Sequence, residues 1–264
     1  MSHPITLLTD FGTTDWFVGT MKGVILTLQP RAHLVDITHD IPSGYIRTAA
    51  FALAAAYGFF PAGTIHLVVV DPGVGTRRKA LAVRTARYFF VAPDNGVLSL
   101  ALQREHIKSI RALENDAFFL KPLSRTFHGR DIFAPIAAHL AGGIGIQKFG
   151  PALKDFVRLP LLEARIQKDR IEGEIVYIDR FGNAITNISA HMVSSGKPPC
   201  EVFGKRRSTA PLKDAYQSVP KGKPVCVLGS SGFLEVAING GSAQTELGLR
   251  IGSRVTLRFQ EPPR

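Results

Sequence analysis

Hydrophobic and polar positions follow two regimes along this chain. Up to about residue 160, short apolar runs alternate with longer stretches of helical spacing. Ile5 to Leu8 is an apolar run of strand length. From Asp15 to Leu28, the residues Phe17, Met21, Val24, Ile25 and Leu28 recur on one helix face, and Pro30 closes the stretch. His33 to Ile37 reads as a second strand. Ser43 is placed to cap a helix running to about Tyr57, which Gly58 and Pro61 stop. The β-branched run Ile65 to Val70 reads as a buried strand that ends on Asp71. Leu81 to Arg84 and Tyr88 to Val91 read as a hairpin turning through Thr85-Ala86. Asn95 to Leu102 and Asp131 to Leu140 read as helices, the second ended by Gly142-Gly143. Beyond Pro160 the pattern becomes short strands (Ile171 to Ile178, Ala184 to Ile188, Val225 to Leu228, Phe233 to Ile238, Arg254 to Phe259) separated by Gly, Pro, Ser and Asn. The order predicts an α/β N-terminal domain over residues 1–160, with a mainly parallel central sheet flanked by helices. A smaller all-β domain of barrel or sandwich type follows over 161–264, connected through Pro151 to Ala164.

Composition bounds the function. The 264 residues are 45% apolar, enough for a real core. The longest apolar stretch, Ala49 to Phe60, is broken by Tyr57 and Gly58 and is too short to span a membrane, so no membrane association is expected. The chain enters its first strand within a few residues, with no basic and apolar leader, and its two cysteines, Cys200 and Cys226, fit a reducing compartment. A cytoplasmic location is the expectation. The net charge of +11 invites a nucleic-acid reading. The densest clusters, Arg77-Arg78-Lys79 and Lys205-Arg206-Arg207, carry no interleaved aromatics of the kind a stacking platform needs. A solvated basic surface is the better account, and no nucleic-acid partner is expected.

Five constellations have the residue types for chemistry. Thr9-Asp10-Phe11-Gly12 follows the first strand, with Asp15 close behind. Asp71-Pro72-Gly73-Val74-Gly75-Thr76-Arg77-Arg78 follows the strand at Ile65, and ligands in open α/β sheets sit at the carboxyl ends of strands. Pro93-Asp94-Asn95-Gly96 is the third, and reads first as a turn. Thr126-Phe127-His128-Gly129-Arg130-Asp131 enters a helix, with Asp131 placed as an N-cap or first-turn acid. The fifth combines Asp179-Arg180-Phe181-Gly182-Asn183 and Thr186-Asn187 with Gly229-Ser230-Ser231-Gly232-Phe233, Glu235 and Asn239. Asp10 and the Asp179 to Asn183 stretch are equally compatible with plain turn chemistry. His33, His39 and His66 are given no role.

Taken together, these motifs resemble the S-adenosylmethionine hydroxide adenosyltransferase family, relatives of the fluorinating and chlorinating enzymes that use the same substrate. The resemblance runs from Ile5 to about Phe259 and rests on TDFG with Asp15 and Gly19, VDPGVGT-x-R, PDNG, TFHGRD, DRFGN-x-x-TN and SSGF-x-E-x-A-x-N. It implies hydrolysis of S-adenosyl-L-methionine to adenosine and L-methionine, with no cofactor and no metal. It implies a homotrimer whose active sites lie between the N-terminal domain of one subunit and the C-terminal domain of its neighbour. The family's catalytic Asp–Arg–His set falls on Asp71, Arg78 and His128, with Arg77 the adjacent arginine. Asp10 falls where the ribose hydroxyls bind, and Asp179 and Ser230 where the methionine end is held, beside Ser231 and Phe233. Phe181 and Asn183 fall near the adenosine and the reacting carbon, and Asn239, with Glu235 among its neighbours, near the adenine edge.

The chemistry is coherent on its own terms. A sulfonium leaves as a neutral thioether, so the departing group needs neither a proton nor a metal. Water is the weak partner and must be placed in line. Asp71 suits acceptance of its proton, while Arg78 and His128 suit holding it; Arg78 beside a developing hydroxide would serve electrostatically as well. Two other reactions compete. A halogenase of the same family would have to bring a halide against the Asp71 carboxylate, which repels it, and the fluorinating relatives have Ser where this chain has Gly129. A metal-dependent phosphoesterase would draw on Asp10, Asp15, Asp71, His128 and Asp131, without a pair at ligand spacing. A nucleoside-sensing or RNA-binding protein is the non-enzymatic reading.

Overall fold

The computed structural model describes residues 3–160, 164–167, 169–193, 199–203 and 207–258. Residues 161–163 of the expected connection, Lys205 and Arg206 of the basic cluster, and Phe259 lie outside the described residues. The chain divides into two compact units, Met1–Leu159 and Pro160–Arg264.

The first unit is built on a seven-stranded sheet. Its strands are β1 (Ile5–Thr9), β2 (Leu34–Thr38), β3 (Ile65–Val69), β4 (Ala80–Thr85), β5 (Phe89–Pro93), β6 (Ile107–Ala112) and β7 (Ala152–Leu153), in the order β2-β1-β3-β5-β4-β6-β7. The four strands β2, β1, β3 and β5 are mutually parallel. β4, β6 and β7 join antiparallel, so the sheet is mixed rather than mainly parallel. The reason is local: Thr85 N–H bonds Tyr88 O, and a turn that short can join only antiparallel strands. Helices α1 (Phe17–Leu28), α2 (Ile46–Ala56), α3 (Ser99–Leu102) and α4 (Ala134–Ala141) cover both faces. Alternation of side chains along the strands feeds two cores. Ile5, Leu7, Leu67 and Val69 pack with Met21 and Ile25 of α1 and with α4. Leu8, Val68 and Val70 pack with Ala49 and Leu53 of α2 and Leu102 of α3. Burial of both faces is why these strands read as continuous apolar runs.

Two helix expectations change. Ser43 does not cap α2, which begins three residues later behind Tyr45; the Pro42-Ser43-Gly44 stretch is instead a turn, with Tyr45 N–H on Pro42 O. The stretch from Asn95 is helical only from Ser99. The helix at Asp131 opens as one π turn, Gly129–Phe133, before α4, and no side chain caps it.

The second unit carries β8 (Arg165–Ile166), β9 (Arg170–Ile178), β10 (Ala184–Ser189), β11 (Pro199–Phe203), β12 (Arg207–Lys213), β13 (Pro224–Leu228), β14 (Phe233–Ile238) and β15 (Arg254–Arg258), with one short helix, α5 (Ala243–Glu246). The order β10-β14-β13-β12-β11-β15-β9-β8 is closed by pairing of β10 with β9, so the sheet curls back on itself. Ile171, Ile175, Ala210, Leu212, Leu234, Val236 and Leu257 fill its inside. Among the described residues no helix is long and apolar enough to cross a membrane.

Candidate active site

In the first unit the residues singled out from the sequence gather at the carboxyl ends of the parallel strands. Asp10 follows β1, Asp71 follows β3, and Asn95 follows β5, and these three strands are neighbours in the sheet. Asp71 is held by Arg78 from the far end of its own turn. Arg78 Nε donates to Asp71 Oδ1 at 2.9 Å and Oδ2 at 3.0 Å, and its Nη2 donates to Oδ2 as well. Arg78, not its neighbour Arg77, is the arginine that reaches Asp71. The same Nη2 lies 2.9 Å from His128 Nδ1. A guanidinium has no acceptor, so Nδ1 accepts and the ring proton sits on Nε2. Burial, and then the Arg78 charge, hold the His128 pKa below the ordinary histidine value, against the pull of Asp71 and Asp131. His128 is thus a neutral ring whose Nε2–H is a donor. The Asp71 and Arg78 side chains are 5% and 11% exposed, so the pair is shielded but reachable.

Packing welds the loops together. Phe11, Phe17 and Phe127 form a triangle with centroids 5.2 to 5.9 Å apart, Phe127 edge-on to the other two, which joins the TDFG turn to the segment carrying His128. The Arg78 guanidinium lies over Phe133, 5.4 Å from its centroid. Gly75, at φ +76°, comes so close to that segment that a Cβ there would stand 2.6 Å from Arg125 O. Asp10 Oδ2 accepts the Gly44 N–H at 2.8 Å, and a Cβ on Gly44 would touch Pro72 beside Asp71. Burial raises the Asp10 pKa, the Gly44 N–H opposes that, and the charge of Asp71 adds to it.

Asn95 was legible only as a turn residue, yet its Nδ2 donates to Val70 O at 2.8 Å, bracing the peptide that enters Asp71. Asp131 is fully buried but caps nothing. Its Oδ2 accepts the Ser124 N–H at 2.7 Å, and Arg130 Nε donates to its Oδ1 at 2.5 Å. Asp15 is exposed. Among the described residues no group of three or more His, Cys, Asp or Glu is placed to hold a metal.

In the second unit Asp179 organises the β9–β10 hairpin. Its Oδ1 accepts the N–H of Phe181 at 2.9 Å and of Asn183 at 2.8 Å, and its Oδ2 accepts from Asn183 Nδ2 at 2.9 Å. The hairpin presents Phe181 at 77% exposure, a large apolar surface left to solvent. Glu235 is 6% exposed, and Tyr216, unmarked in the sequence, donates its hydroxyl to Glu235 Oε2 at 2.6 Å. Burial and the Asp179 charge raise the Glu235 pKa, with Tyr216 opposing. Gly229 leaves the room this carboxylate occupies, since a Cβ there would overlap Oε1. Ser230 is exposed and Phe233 half-buried, while Ser231 Oγ is buried with no hydrogen-bond partner among the described residues. Asn239 Nδ2 is committed to Val219 O at 2.7 Å.

Comparison with known proteins follows the same lines. Residues 5–150 match the SAM hydroxide adenosyltransferase N-terminal domain, and residues 173–256 match the C-terminal domain of the same family. An (R)-S-adenosyl-L-methionine hydrolase of Thermus thermophilus is 41% identical over 97% of this chain and 99% of its own. A fluorinase of Actinoplanes sp. is more distant, at 25% identity over 96% of each chain. The crystal structure of an uncharacterized conserved protein from Thermotoga maritima is 37% identical and superposes with a TM-score of 0.90, covering 96% of this chain and 99% of the other. With both family domains matched in order and a nearly full-length relative at 41% identity, this chain belongs to the SAM hydroxide adenosyltransferase family.

Proposed function

We propose that this chain hydrolyses S-adenosyl-L-methionine, in the (R) form named for its relative, to adenosine and L-methionine. The observation that carries the reading is the Asp71–Arg78–His128 chain of contacts at the carboxyl ends of parallel strands. Water attacks the ribose C5′. The C5′–O bond forms as the C5′–S bond breaks, and its electron pair goes to sulfur, giving the neutral thioether of methionine. One water proton is released. A carboxylate is far too weak to remove that proton before attack. Once the C–O bond is forming the oxygen carries positive charge, its proton becomes strongly acidic, and Asp71 is base enough. Neutral His128 offers Nε2–H to the water oxygen, which orients its lone pair, and Arg78 keeps Asp71 and His128 in register.

Asp10 takes the ribose diol, two donors on two carboxylate oxygens. Asp179 and Ser230, with Ser231 and Phe233, take the methionine end; Phe181 and Asn183 pack on the nucleoside; Glu235 and Asn239 serve the adenine edge. No cofactor enters the reaction. A cytoplasmic homotrimer is part of the same proposal. Hydrolysis is favoured over halogenation because Asp71 would repel a halide and because a serine at Gly129 would start from a Cβ only 3.2 Å from Met21 Sδ and 3.3 Å from the Phe127 ring. A phosphoesterase reading is disfavoured because Asp71 and Asp131 each already hold an arginine. The test is incubation of purified protein with each sulfonium epimer of S-adenosyl-L-methionine, with and without fluoride or chloride, followed by chromatography. Adenosine and methionine are expected whatever halide is present; a 5′-halonucleoside, or no turnover, would refute the proposal.

A further inference from the structure

Behind the Asp10 turn runs a line of polar side chains of which the sequence motifs mark only Thr9. Thr9 is fully buried, and its Oγ1 lies 2.9 Å from His39 Nδ1. His39 is 5% exposed, and its Nε2 stands at an ion-pair distance of 3.1 Å from Asp36 Oδ1. Asp36 Oδ2 accepts from Lys22 Nζ at 2.6 Å. At the near end, the Phe11 N–H donates to Thr9 Oγ1 at 3.3 Å and the Gly12 N–H to the backbone carbonyl of His39 at 2.8 Å. The direction of the line follows from what each group can give. With Nε2 beside a carboxylate, the ring proton belongs on Nε2, which leaves Nδ1 to accept from the Thr9 hydroxyl; the Nε2–Asp36 contact is an ion-pair distance without hydrogen-bond geometry. Burial pushes the Asp36 carboxyl up, but Lys22 and His39 outweigh it and hold its pKa below the ordinary aspartate value.

Carboxylate, imidazole and hydroxyl in this order are the parts of a nucleophile-activating triad. Here that use is closed off, because Thr9 Oγ1 sits in the core where no substrate reaches it. What the line does hold is the turn from Thr9 to Gly12, where Gly12 takes φ +66° and Asp10 projects. The hydrogen bonds fix that turn from two sides, through the His39 ring and through its carbonyl.

We infer that His39 is a positioning residue for Asp10, acting through Thr9 and the Phe11–Gly12 backbone to aim the carboxylate at the ribose diol. The inference rests on the proposed binding role of Asp10. A two-point grip tolerates misplacement of only about 0.5 Å, so loss of the brace weakens substrate binding. The reacting groups Asp71, Arg78 and His128 stand on other loops, coupled to this turn through the Phe11–Phe127 ring contact, so the smaller effect is expected on them.

The test compares Thr9→Val with Thr9→Ser and His39→Leu with His39→Asn, whose amide falls near the Nδ1 position. It adds Asp10→Asn alone and combined with Thr9→Val. Thr9→Val and His39→Leu are expected to raise KM about tenfold with kcat within about twofold. Thr9→Ser and His39→Asn should bring KM back to within about threefold of wild type, and Thr9→Val should add almost nothing to Asp10→Asn. Should His39→Leu fail to fold, the Thr9 pair decides alone. An unmoved KM in Thr9→Val overturns the inference, as does a KM effect that multiplies independently with Asp10→Asn. So does a fall in Tm and kcat at constant KM. Wild-type protein that releases no adenosine would instead end the proposed function, and this inference with it.

Discussion

In the proposed reaction the Asp71 carboxylate carries the chemical burden, and its two neighbours have separable tasks. Asp71→Asn keeps the shape and loses the proton acceptor. A drop in kcat of about 10²-fold or more is expected, with KM changed by less than about threefold. His128→Ala removes a donor and should lower kcat by about tenfold or more, again with KM little changed. Steady-state kinetics check both, and a fully active Asp71→Asn would contradict the assignment. The pH dependence follows from His128. Its working form is neutral, and burial with the Arg78 charge places its pKa below the ordinary value. kcat/KM is therefore expected to stay level from pH 8 down to the usual histidine range, about 6.5, and to fall only below it. A midpoint at or above that range would contradict the neutral-donor role. At this scale, Asp10 and Asp71 were legible as polar residues in turns after apolar runs, and Arg78 and His128 through the motifs that resemble the family's. His39 and Tyr216 were not, and Thr9 and Asn95 were marked only as members of turns. Their partners are distant in sequence, as Asn95 is from Val70 and Tyr216 from Glu235, and a lone His or Asn in a loop carries no sign of them.

Among the elements, the loops after β3 and before α4 matter most to the proposed reaction, because they set the distance between Asp71 and His128. Gly75 sets that distance. Gly75→Ala would force a left-handed φ on alanine and press its Cβ against Arg125 O. A fall in Tm of a few degrees, together with a kcat loss of about tenfold or more at normal KM, is the expected result by thermal melting and kinetics. Unchanged kcat in a folded variant would show that the two loops do not set the site. The strand and helix pattern was readable where one element dominates its surroundings. The parallel half and α1 follow from both-face burial and helical spacing. Two strands were not: β6 (IKSIRA) mixes charge and small residues into the alternation and is fixed by pairing with β4, and β12 (RSTAPLK) carries charge and Pro and is fixed by pairing with β11. The π turn at Gly129 likewise has no periodic signature.

At the scale of the whole molecule, the first unit stakes part of its stability on a neutral histidine. His66 is fully buried among Tyr57, Phe60, Tyr88 and Phe90, with Nδ1 on Thr6 Oγ1 at 2.8 Å, and burial pushes its pKa down to about 3. The unfolded chain binds that proton near pH 6.5 and the folded one near 3. Stability from His66 is thus complete above 6.5 and is lost progressively as pH falls toward 3. Urea midpoints are expected to drop more steeply between about pH 7 and 5.5 in wild type than in His66→Phe; parallel slopes would contradict this. The claim that organises the molecule remains that solvent, aimed by Asp71, Arg78 and His128, displaces methionine from the ribose carbon. Turnover of S-adenosyl-L-methionine in ¹⁸O-enriched water, read by mass spectrometry, tests it directly. The account predicts one heavy oxygen in adenosine, at the 5′ position, and none in methionine. Adenosine without the label, or label in methionine, would contradict it.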